Sequence, residues 1–183
     1  MSSTNRGAER RGRDAYMTPD WLAEAIMPAL RQRVNTSPHA VPLQVLEPAC
    51  GEGAIVRAVK QGLAPCVVTA LDLARGNDFL ATRPQADWDL IITNPPYSQA
   101  EEFVRHAMKF QRTCFSMVAM LLRLGFLASQ KRAAWLRKNT PSVYVTPRRP
   151  SFTEDGKNDS ADYAWMIWGP GEPKVGILET ERT

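Results

Sequence analysis

The residues best suited to chemistry are the tetrapeptide Asn94-Pro95-Pro96-Tyr97, which follows an apolar run of the chain. Proline has a fixed φ angle and no N–H group, so two prolines in succession hold the backbone extended and leave its carbonyls to accept hydrogen bonds. Together with the side-chain oxygen of Asn94, they predict a rigid site that is rich in acceptors. A proline pair that merely ends a strand is the alternative interpretation.

Such a site suits an amino group on an aromatic base, which is a poor nucleophile because its lone pair is delocalised into the ring. If the Asn94 side-chain oxygen and the Pro95 carbonyl accept its two N–H bonds, the nitrogen becomes pyramidal and its lone pair can attack a methyl sulfonium in line. Methylation makes the nitrogen acidic, so no strong general base is required. Tyr97 offers a flat face for stacking, and a base inside a duplex would reach it only by flipping out.

A glycine turn, EPACGEG at residues 47–53, follows another apolar run. Gly51 and Gly53 let the backbone turn sharply and approach a ligand closely at the carboxyl end of a strand. About twenty residues further on, Asp72 ends the next predicted strand, where a carboxylate can accept both hydrogen bonds of a ribose diol. The two features predict a nucleoside cofactor, although glycine turns also occur for packing alone.

The residues around this turn indicate what the cofactor carries. Val56 stands where a dinucleotide fingerprint has its third glycine, and the acid Glu47 before the turn would repel a phosphate. A carboxylate in that place could instead receive the ammonium end of a methionine moiety. Downstream, Asp78 offers an acceptor for an adenine amino group and Phe79 an aromatic ring beside it. The alternative interpretation of this pair is a helix cap and a core phenylalanine.

The elements expected around these motifs alternate between strands and helices. Apolar runs predict strands from residue 43 to the glycine turn and at residues 67–73, 90–93, 116–122, 143–145 and 163–168. Helical spacing of apolar residues predicts helices from residue 19 onward and at residues 54–61, 101–110 and 131–138. The predicted fold is doubly wound α/β, a mostly parallel sheet with helices on both faces and an antiparallel edge strand near the C-terminus. Residues 1–15 are predicted to form a flexible basic arm, and residues 16–183 a single domain.

The chain is mildly basic, with a formal charge of +4 and a pI of about 9.1. Basic residues cluster in the arm, in the predicted helix at 131–138 and at Arg148-Arg149, which favours a polyanionic partner, although solvated surface charge gives the same pattern. No apolar run is long enough to span a membrane and no signal peptide is evident, so we expect a cytoplasmic protein. Cys50, Cys66 and Cys114 lack metal-site spacing, so we expect reduced thiols and no metal.

With these motifs in this order, the chain resembles the class I, Rossmann-like S-adenosylmethionine-dependent methyltransferases, and within them the amino-methylating DNA adenine methyltransferases. The resemblance spans roughly residues 16–168 and implies S-adenosyl-L-methionine as the cofactor. The Tyr-x-Thr-Pro pattern that closes over the cofactor in this family is matched by Tyr16-Met17-Thr18-Pro19. The residues that the resemblance assigns to the cofactor pocket are Tyr16, Thr18, Pro19, Glu47, Ala49, Cys50, Gly51, Gly53, Asp72, Leu73, Asp78, Phe79 and Asn94.

The same resemblance implies that residues 94–97 hold the target amino group. The segment from Arg148 to Trp165 is similar to small methyltransferases of phage and prophage type, which implies substrate contacts for Arg148, Arg149 and Phe152, with Phe152 as a second stacking face. Methyltransferases that recognise a DNA sequence usually carry a recognition domain, for which this chain has no room. We therefore expect a methyltransferase domain without a separate target-recognition domain.

The tetrapeptide indicates a planar amide or amine and leaves its carrier open. Asn-Pro-Pro-Tyr also occurs in enzymes that methylate a protein glutamine side chain or a base amino group in RNA, so both are alternatives to adenine N6 in DNA. The basic clusters favour a nucleic acid as the partner, with DNA first. An alternative of another class is a catalytically silent module that binds nucleic acid or regulates a partner, against which the intact Asn94 and glycine turn argue.

Overall fold

The computed structural model of the protein describes residues 17–35, 41–83, 87–111, 113–152 and 158–180. The predicted basic arm at residues 1–15 and the predicted cofactor residue Tyr16 lie outside these described residues. None of the described helices has both the length and the apolar composition that crossing a membrane requires.

Strands in the described part of the chain form one seven-stranded sheet. They are β1 Leu43–Glu47, β2 Cys66–Ala70, β3 Leu90–Thr93, β4 Met117–Arg123, β5 Ser142–Val145, β6 Tyr163–Trp168 and β7 Val175–Ile177. Their spatial order is β2-β1-β3-β4-β6-β5-β7. β1 pairs in parallel with β2 and β3, and β3 pairs in parallel with β4. β6 lies antiparallel between β4 and β5, and β7 adds in parallel to β5.

Helices connect the strands and cover both faces of the sheet. They are α1 Asp20–Ala25, α2 Met27–Asn35, α3 Ala54–Gly62, α4 Ala100–Ala107 and α5 Gln130–Lys138. Short 3-10 turns lie at Leu73–Arg75, Phe79–Ala81, Tyr97–Gln99, Met108–Phe110 and Leu124–Phe126. The first three helices pack on one face and the last two on the other.

Apolar spacing explains how these elements build the core. α3 buries Ile55 and Val59, four residues apart and therefore on one helical face, against the same face of the sheet as Leu22 of α1. Complete burial of such a side chain contributes about 1.5–3 kcal/mol. Trp165 of β6 is also fully buried, and its indole N–H donates to the Leu22 carbonyl at 3.0 Å, which ties α1 to the sheet.

The structure confirms the predicted fold class and an antiparallel strand near the C-terminus, but that strand, β6, lies inside the sheet and not at its edge. The structure also adds two details. The first predicted helix is divided at Ile26 into α1 and α2, because Pro28 has no N–H to donate to the Glu24 carbonyl. β7 was not predicted from the sequence. It has three residues, and its Val175 and Ile177 are largely exposed, so it lacks the buried alternation that marks a strand.

The parallel strands bring the predicted site residues to one edge of the sheet. β1 to β5 and β7 point in the same direction, so their carboxyl ends share that edge. The glycine turn follows β1, Asp72 follows β2 and Asn94 follows β3. Arg123 is the last residue of β4, where a charged side chain ends an otherwise buried strand. In open α/β sheets this carboxyl edge is where ligands bind.

Candidate active site

The glycine turn joins β1 to α3 in a conformation that requires glycine. Gly51 has φ +48° and Gly53 has φ +82°, both in the left-handed region. The Gly53 N–H donates to the Cys50 carbonyl at 2.8 Å, which closes the turn before α3 begins. A Cβ atom added at Gly51 would meet nothing within 4 Å, so the backbone here faces open space that a ligand can approach.

Asp72 is hydrogen-bonded directly to this turn. Its Oδ2 accepts the Gly51 N–H at 2.9 Å, and its Oδ1 accepts the Ala74 N–H at 2.7 Å. Each carboxylate oxygen has a second lone pair, so Asp72 can still accept hydrogen bonds from a diol. The next residue, Leu73, is 60% exposed and presents an apolar side chain at the same place.

Glu47 ends β1 beneath the turn and is almost completely buried. Burial, together with the smaller effect of the nearby Asp72 charge, raises the pKa of Glu47 from 4.5 to about 8, although the Thr93 hydroxyl and the Ala49 N–H oppose the shift. The Ala49 N–H donates to Oε1 at 3.0 Å. Within the described residues, neither Oε2 nor the Thr93 hydroxyl makes a hydrogen bond of ordinary geometry. Oε2 is therefore a buried acceptor suited to a donor on a ligand.

A cavity of about 270 Å³ lies beside the glycine turn. Its walls come from residues 17–20, 49–55 and 151–152 and from Arg57. The Arg57 guanidinium spans the rim, because it donates to the Glu52 carbonyl at 2.8 Å and pairs with Asp20 at 2.6 Å. The cavity brings together six residues predicted to bind the cofactor, namely Thr18, Pro19, Ala49, Cys50, Gly51 and Gly53.

Asn94 connects this cavity to the proline tetrapeptide. Its side chain is buried at the end of β3, and Nδ2 donates to Thr18 Oγ1 at 3.0 Å. This bond orients the amide, because it fixes the nitrogen toward Thr18 and turns Oδ1 away from it. Thr18 also lines the cavity, so one hydrogen bond separates the cavity wall from the acceptor side chain.

Tyr97, the last residue of the tetrapeptide, is half-buried among other ring systems. The Tyr163 and Phe152 rings lie 5.4 Å and 6.0 Å away, at interplanar angles of 44° and 68°. Phe152 is buried and meets Tyr97 at a steep angle, so it would have to turn to become a parallel stacking face. The predicted stacking role of Phe152 stays a prediction.

Asp78 and Phe79 have the structural roles that the sequence left open as an alternative. Asp78 caps a 3-10 turn, with Oδ1 accepting the Leu80 N–H at 2.9 Å. Phe79 is 2% exposed and packs on Phe103 with a centroid distance of 5.2 Å. Neither residue lines the cavity beside the glycine turn. Their predicted contacts with an adenine stay a prediction.

The predicted substrate arginines lie near the cavity wall at residues 151–152. The Arg148 guanidinium stacks 4.2 Å from the Trp21 ring centroid, and Arg149 Nε donates to Asp162 at 2.8 Å. The basic end of α5 is elsewhere. Arg137 and Lys138 line a cavity of about 430 Å³ together with Ser116, which precedes β4 at the opposite edge of the sheet.

Sequence reasoning missed a polar cluster at the carboxyl edge of the sheet, formed by Arg123, Asp159 and Tyr163. Arg123 donates to the Tyr163 hydroxyl at 3.0 Å and to Asp159 at 3.2 Å, and the Tyr163 hydroxyl donates to Asp159 at 2.7 Å. The available signal was Arg123 itself. It is a charge at the carboxyl end of an apolar run, the position that Asp72 and Asn94 occupy on their own strands.

No protein-family model matches the sequence, and no curated protein does. Solved structures do match. A Listeria monocytogenes protein described as a class I S-adenosylmethionine-dependent methyltransferase has a TM-score of 0.64 at 15% identity, over 94% of this chain and 68% of that one. The type I restriction-modification methyltransferase subunit of Streptococcus thermophilus has a TM-score of 0.65 at 16% identity, over 86% of this chain and 45% of that one.

A third match is a modification subunit of a type I restriction enzyme from Vibrio vulnificus, with a TM-score of 0.60 at 15% identity, over 93% of this chain and 48% of that one. The chain thus spans about half the length of the two restriction-modification subunits. Structural similarity at such low sequence identity establishes the fold alone. The chain has the fold of the class I, Rossmann-like S-adenosylmethionine-dependent methyltransferases.

Proposed function

We propose that this protein is an S-adenosylmethionine-dependent methyltransferase that acts on an exocyclic amino group, and that its acceptor is adenine N6 in DNA. The observation that carries the proposal is the hydrogen bond from Asn94 Nδ2 to Thr18 Oγ1 at 3.0 Å. It holds the amide of the proline tetrapeptide against the wall of the cavity beside the glycine turn. A methyl donor and an amino acceptor would meet at such a junction.

The residues present fit the cofactor. Asp72 has acceptor capacity for a ribose diol, and the exposed Leu73 beside it offers an apolar surface for an adenine ring. Glu47 Oε2 is a buried acceptor without a bond of ordinary geometry within the described residues, which suits the ammonium of a methionine moiety. The Asp72 carboxylate at the glycine turn would repel a phosphate, so these acceptors favour a nucleoside with a cationic tail.

The chain's own groups would activate the acceptor. When bound, S-adenosylmethionine supplies a methyl group on a sulfonium. Asn94 Oδ1 and the Pro95 carbonyl accept the two N–H bonds of the amino group, which localises its lone pair for in-line attack. Pro96 keeps the backbone extended, so these acceptors need no rearrangement during the reaction. The transferred methyl makes the nitrogen acidic, and its proton leaves through the same acceptors or to water.

DNA as the acceptor is supported by charge and by ring systems at the same edge. Arg148 and Arg149 lie beside the cavity wall, where they can contact phosphates next to a flipped base. The half-buried Tyr97 supplies an aromatic surface for that base. The restriction-modification subunits among the matched structures add support for DNA. Base amino groups in RNA and glutamine side chains in protein are the competing acceptors.

The test is incubation of the full chain with methyl-labelled S-adenosylmethionine and, in separate reactions, unmethylated DNA, RNA and protein. Mass spectrometry of the digested products should find N6-methyladenine in the DNA reaction. Methyladenine found only in RNA, or methylglutamine found in protein, would show that the acceptor is not DNA but would still support the cofactor assignment. If calorimetry detects no binding of S-adenosylmethionine, the enzyme proposal is wrong, and a module that only binds nucleic acid or regulates a partner replaces it.

A further inference from the structure

One face of the Tyr97 ring is covered by a guanidinium that the proposed chemistry does not use. Arg123 Cζ lies 4.8 Å from the Tyr97 centroid, within the range of a cation–π contact. The Tyr163 ring also touches Tyr97, with a centroid distance of 5.4 Å. Two members of the Arg123, Asp159 and Tyr163 cluster therefore contact the predicted stacking residue.

Hydrogen bonds immobilise that guanidinium. Arg123 Nε and Nη2 donate to the Tyr163 hydroxyl and to Asp159, and the hydroxyl donates to the same carboxylate, so the three side chains form a closed triangle. Burial would raise the pKa of Asp159, but the Tyr163 hydroxyl, the Ala161 N–H and Arg123 together lower it. The triangle thus holds a full ion pair at neutral pH.

The triangle also joins three segments of the chain at the carboxyl edge. Arg123 ends β4, Tyr163 begins β6, and the Asp159 N–H donates to the Pro150 carbonyl at 2.9 Å. Pro150 lies two residues before Phe152, whose ring contacts Tyr97 and Tyr163 at 6.0 Å and 5.0 Å. Because these hydrogen bonds hold Arg123 and Tyr163 in place, a change in the plane of the Tyr97 ring would weaken its contacts with both.

We propose that Arg123, held by Asp159 and Tyr163, is a positioning residue that fixes the plane of the Tyr97 ring for a stacked base. The proposal rests on the proposed function, because it takes Tyr97 as the surface that receives the base. Arg123 acts through Tyr97 and does not touch the reacting atoms. Its loss should therefore impair use of the base-carrying substrate and leave cofactor binding unchanged.

The chain offers a matched control for this interaction. Arg105 of α4 also stacks on an aromatic ring, 4.7 Å from the Trp135 centroid, and also pairs with a carboxylate, Glu101, at 3.0 Å. Trp135 packs in the core on one face of the sheet, whereas Tyr97 packs on the opposite face. Arg105→Gln therefore removes the same kinds of contact as Arg123→Gln at a place where no substrate is expected.

The kinetic test measures methyl transfer to unmethylated DNA by the full chain. We expect Arg123→Gln to lower kcat/KM for DNA by about tenfold or more, with the dissociation constant of S-adenosylmethionine changed by less than about twofold. Arg123→Lys, which keeps the charge, should recover part of the loss, and Arg105→Gln should behave as wild type. In a Tyr97→Leu background, Arg123→Gln should change kcat/KM by less than about twofold, because the ring on which it acts is gone.

A second experiment tests the same role by NMR and needs no substrate. Carbon-13 labelling of the four tyrosines gives ring signals in the full chain, and Tyr97→Leu identifies that of Tyr97. Arg123→Gln should shift or broaden that signal, and Arg105→Gln should not. An unmoved Tyr97 signal, or an equal loss of kcat/KM with and without the Tyr97 ring, overturns the positioning role. If the wild type does not methylate DNA, the proposed acceptor fails, and the ring signal alone decides the role of Arg123.

Discussion

The backbone N–H of Gly51 donates a 2.9 Å hydrogen bond to Oδ2 of Asp72, across 21 residues of sequence. The glycine turn after β1 and the acid after β2 are therefore one unit. The Cys50 N–H strengthens this unit by donating to the Leu71 carbonyl at 2.9 Å. A ligand that contacts the turn therefore meets a carboxylate whose orientation is already fixed.

Replacing Asp72 by Ala should weaken S-adenosylmethionine binding by about 1.5–3 kcal/mol, because charge-assisted hydrogen bonds to the ribose are lost. Asp72→Asn is the matched variant, since it keeps one acceptor oxygen and should lose less. Isothermal titration calorimetry measures both. If Asp72→Ala binds S-adenosylmethionine with unchanged affinity, the ribose does not contact Asp72.

Replacing Thr18 by Val should slow methyl transfer but leave cofactor binding largely intact. Valine has nearly the shape of threonine but cannot accept the 3.0 Å bond from Asn94 Nδ2, so the amide loses its orientation. We expect kcat to fall about tenfold, with cofactor affinity changed by less than about threefold. Thr18→Ser keeps the hydroxyl and should stay close to wild type. Equal losses in the two variants would show that the hydroxyl has no part in orienting Asn94.

Glu47 should make the free energy of unfolding depend on pH. Its pKa is raised from 4.5 to about 8 in the folded protein, so between these values the folded state binds a proton that the unfolded state releases. Stability contributed by this carboxyl should therefore fall as pH rises from about 4.5 to about 8, and then level off. Glu47→Gln should flatten the curve in this window. Urea unfolding of both proteins at a series of pH values makes the comparison, and parallel curves would mean that Glu47 is not protonated in the fold.

Charge at the two edges of the sheet should contribute differently to DNA binding. Replacing Arg148 and Arg149 by Gln should reduce the slope of log Kobs against log salt by up to about 2, because fewer counterions are released. The same replacement of Arg137 and Lys138, which lie at the opposite edge with Ser116, should leave the slope unchanged. The salt dependence of fluorescence anisotropy with a labelled duplex tests this. A larger effect at Arg137 and Lys138 would place the DNA on the other side of the protein.

Local motifs made most of this fold predictable, and they indicated the edge of the sheet at which the candidate site lies. Asp72 and Asn94 could be assigned to one edge because each ends an apolar run, and parallel strands align such ends. β7 was not predictable, because three residues with exposed side chains give no periodic signal. The Arg123 cluster was missed for a different reason. Its members lie 36 and 40 residues apart and meet only because β6 turns antiparallel beside β4.

Phe79 shows the limit of motif reasoning at single residues. Its place after Asp78 suits an adenine site, but burial against Phe103 and Phe110 equally explains a phenylalanine there. Spacing alone cannot separate these roles, because both require an aromatic side chain after a capping acid. The distinction depends on which neighbours the chain folds against.

The most direct test of the central claim is the rate of methyl transfer by Asn94→Ala. Asn94 is the acceptor that we place between the cavity wall and the reacting amino group, and Pro95 and Pro96 should still hold the backbone. Asn139→Ala is the control, since that amide donates to the Trp135 carbonyl at the far end of α5. Asn94→Asp, which keeps an acceptor oxygen, should retain measurable activity.

We predict that Asn94→Ala lowers kcat by at least about a hundredfold, the scale for losing one preorganised hydrogen bond to the reacting centre. Its affinity for S-adenosylmethionine and its thermal unfolding should stay close to those of the wild type, and Asn139→Ala should transfer methyl groups at the wild-type rate. If Asn94→Ala instead methylates the same acceptor as fast as the wild type, the tetrapeptide at residues 94–97 ends a strand and is not the active site.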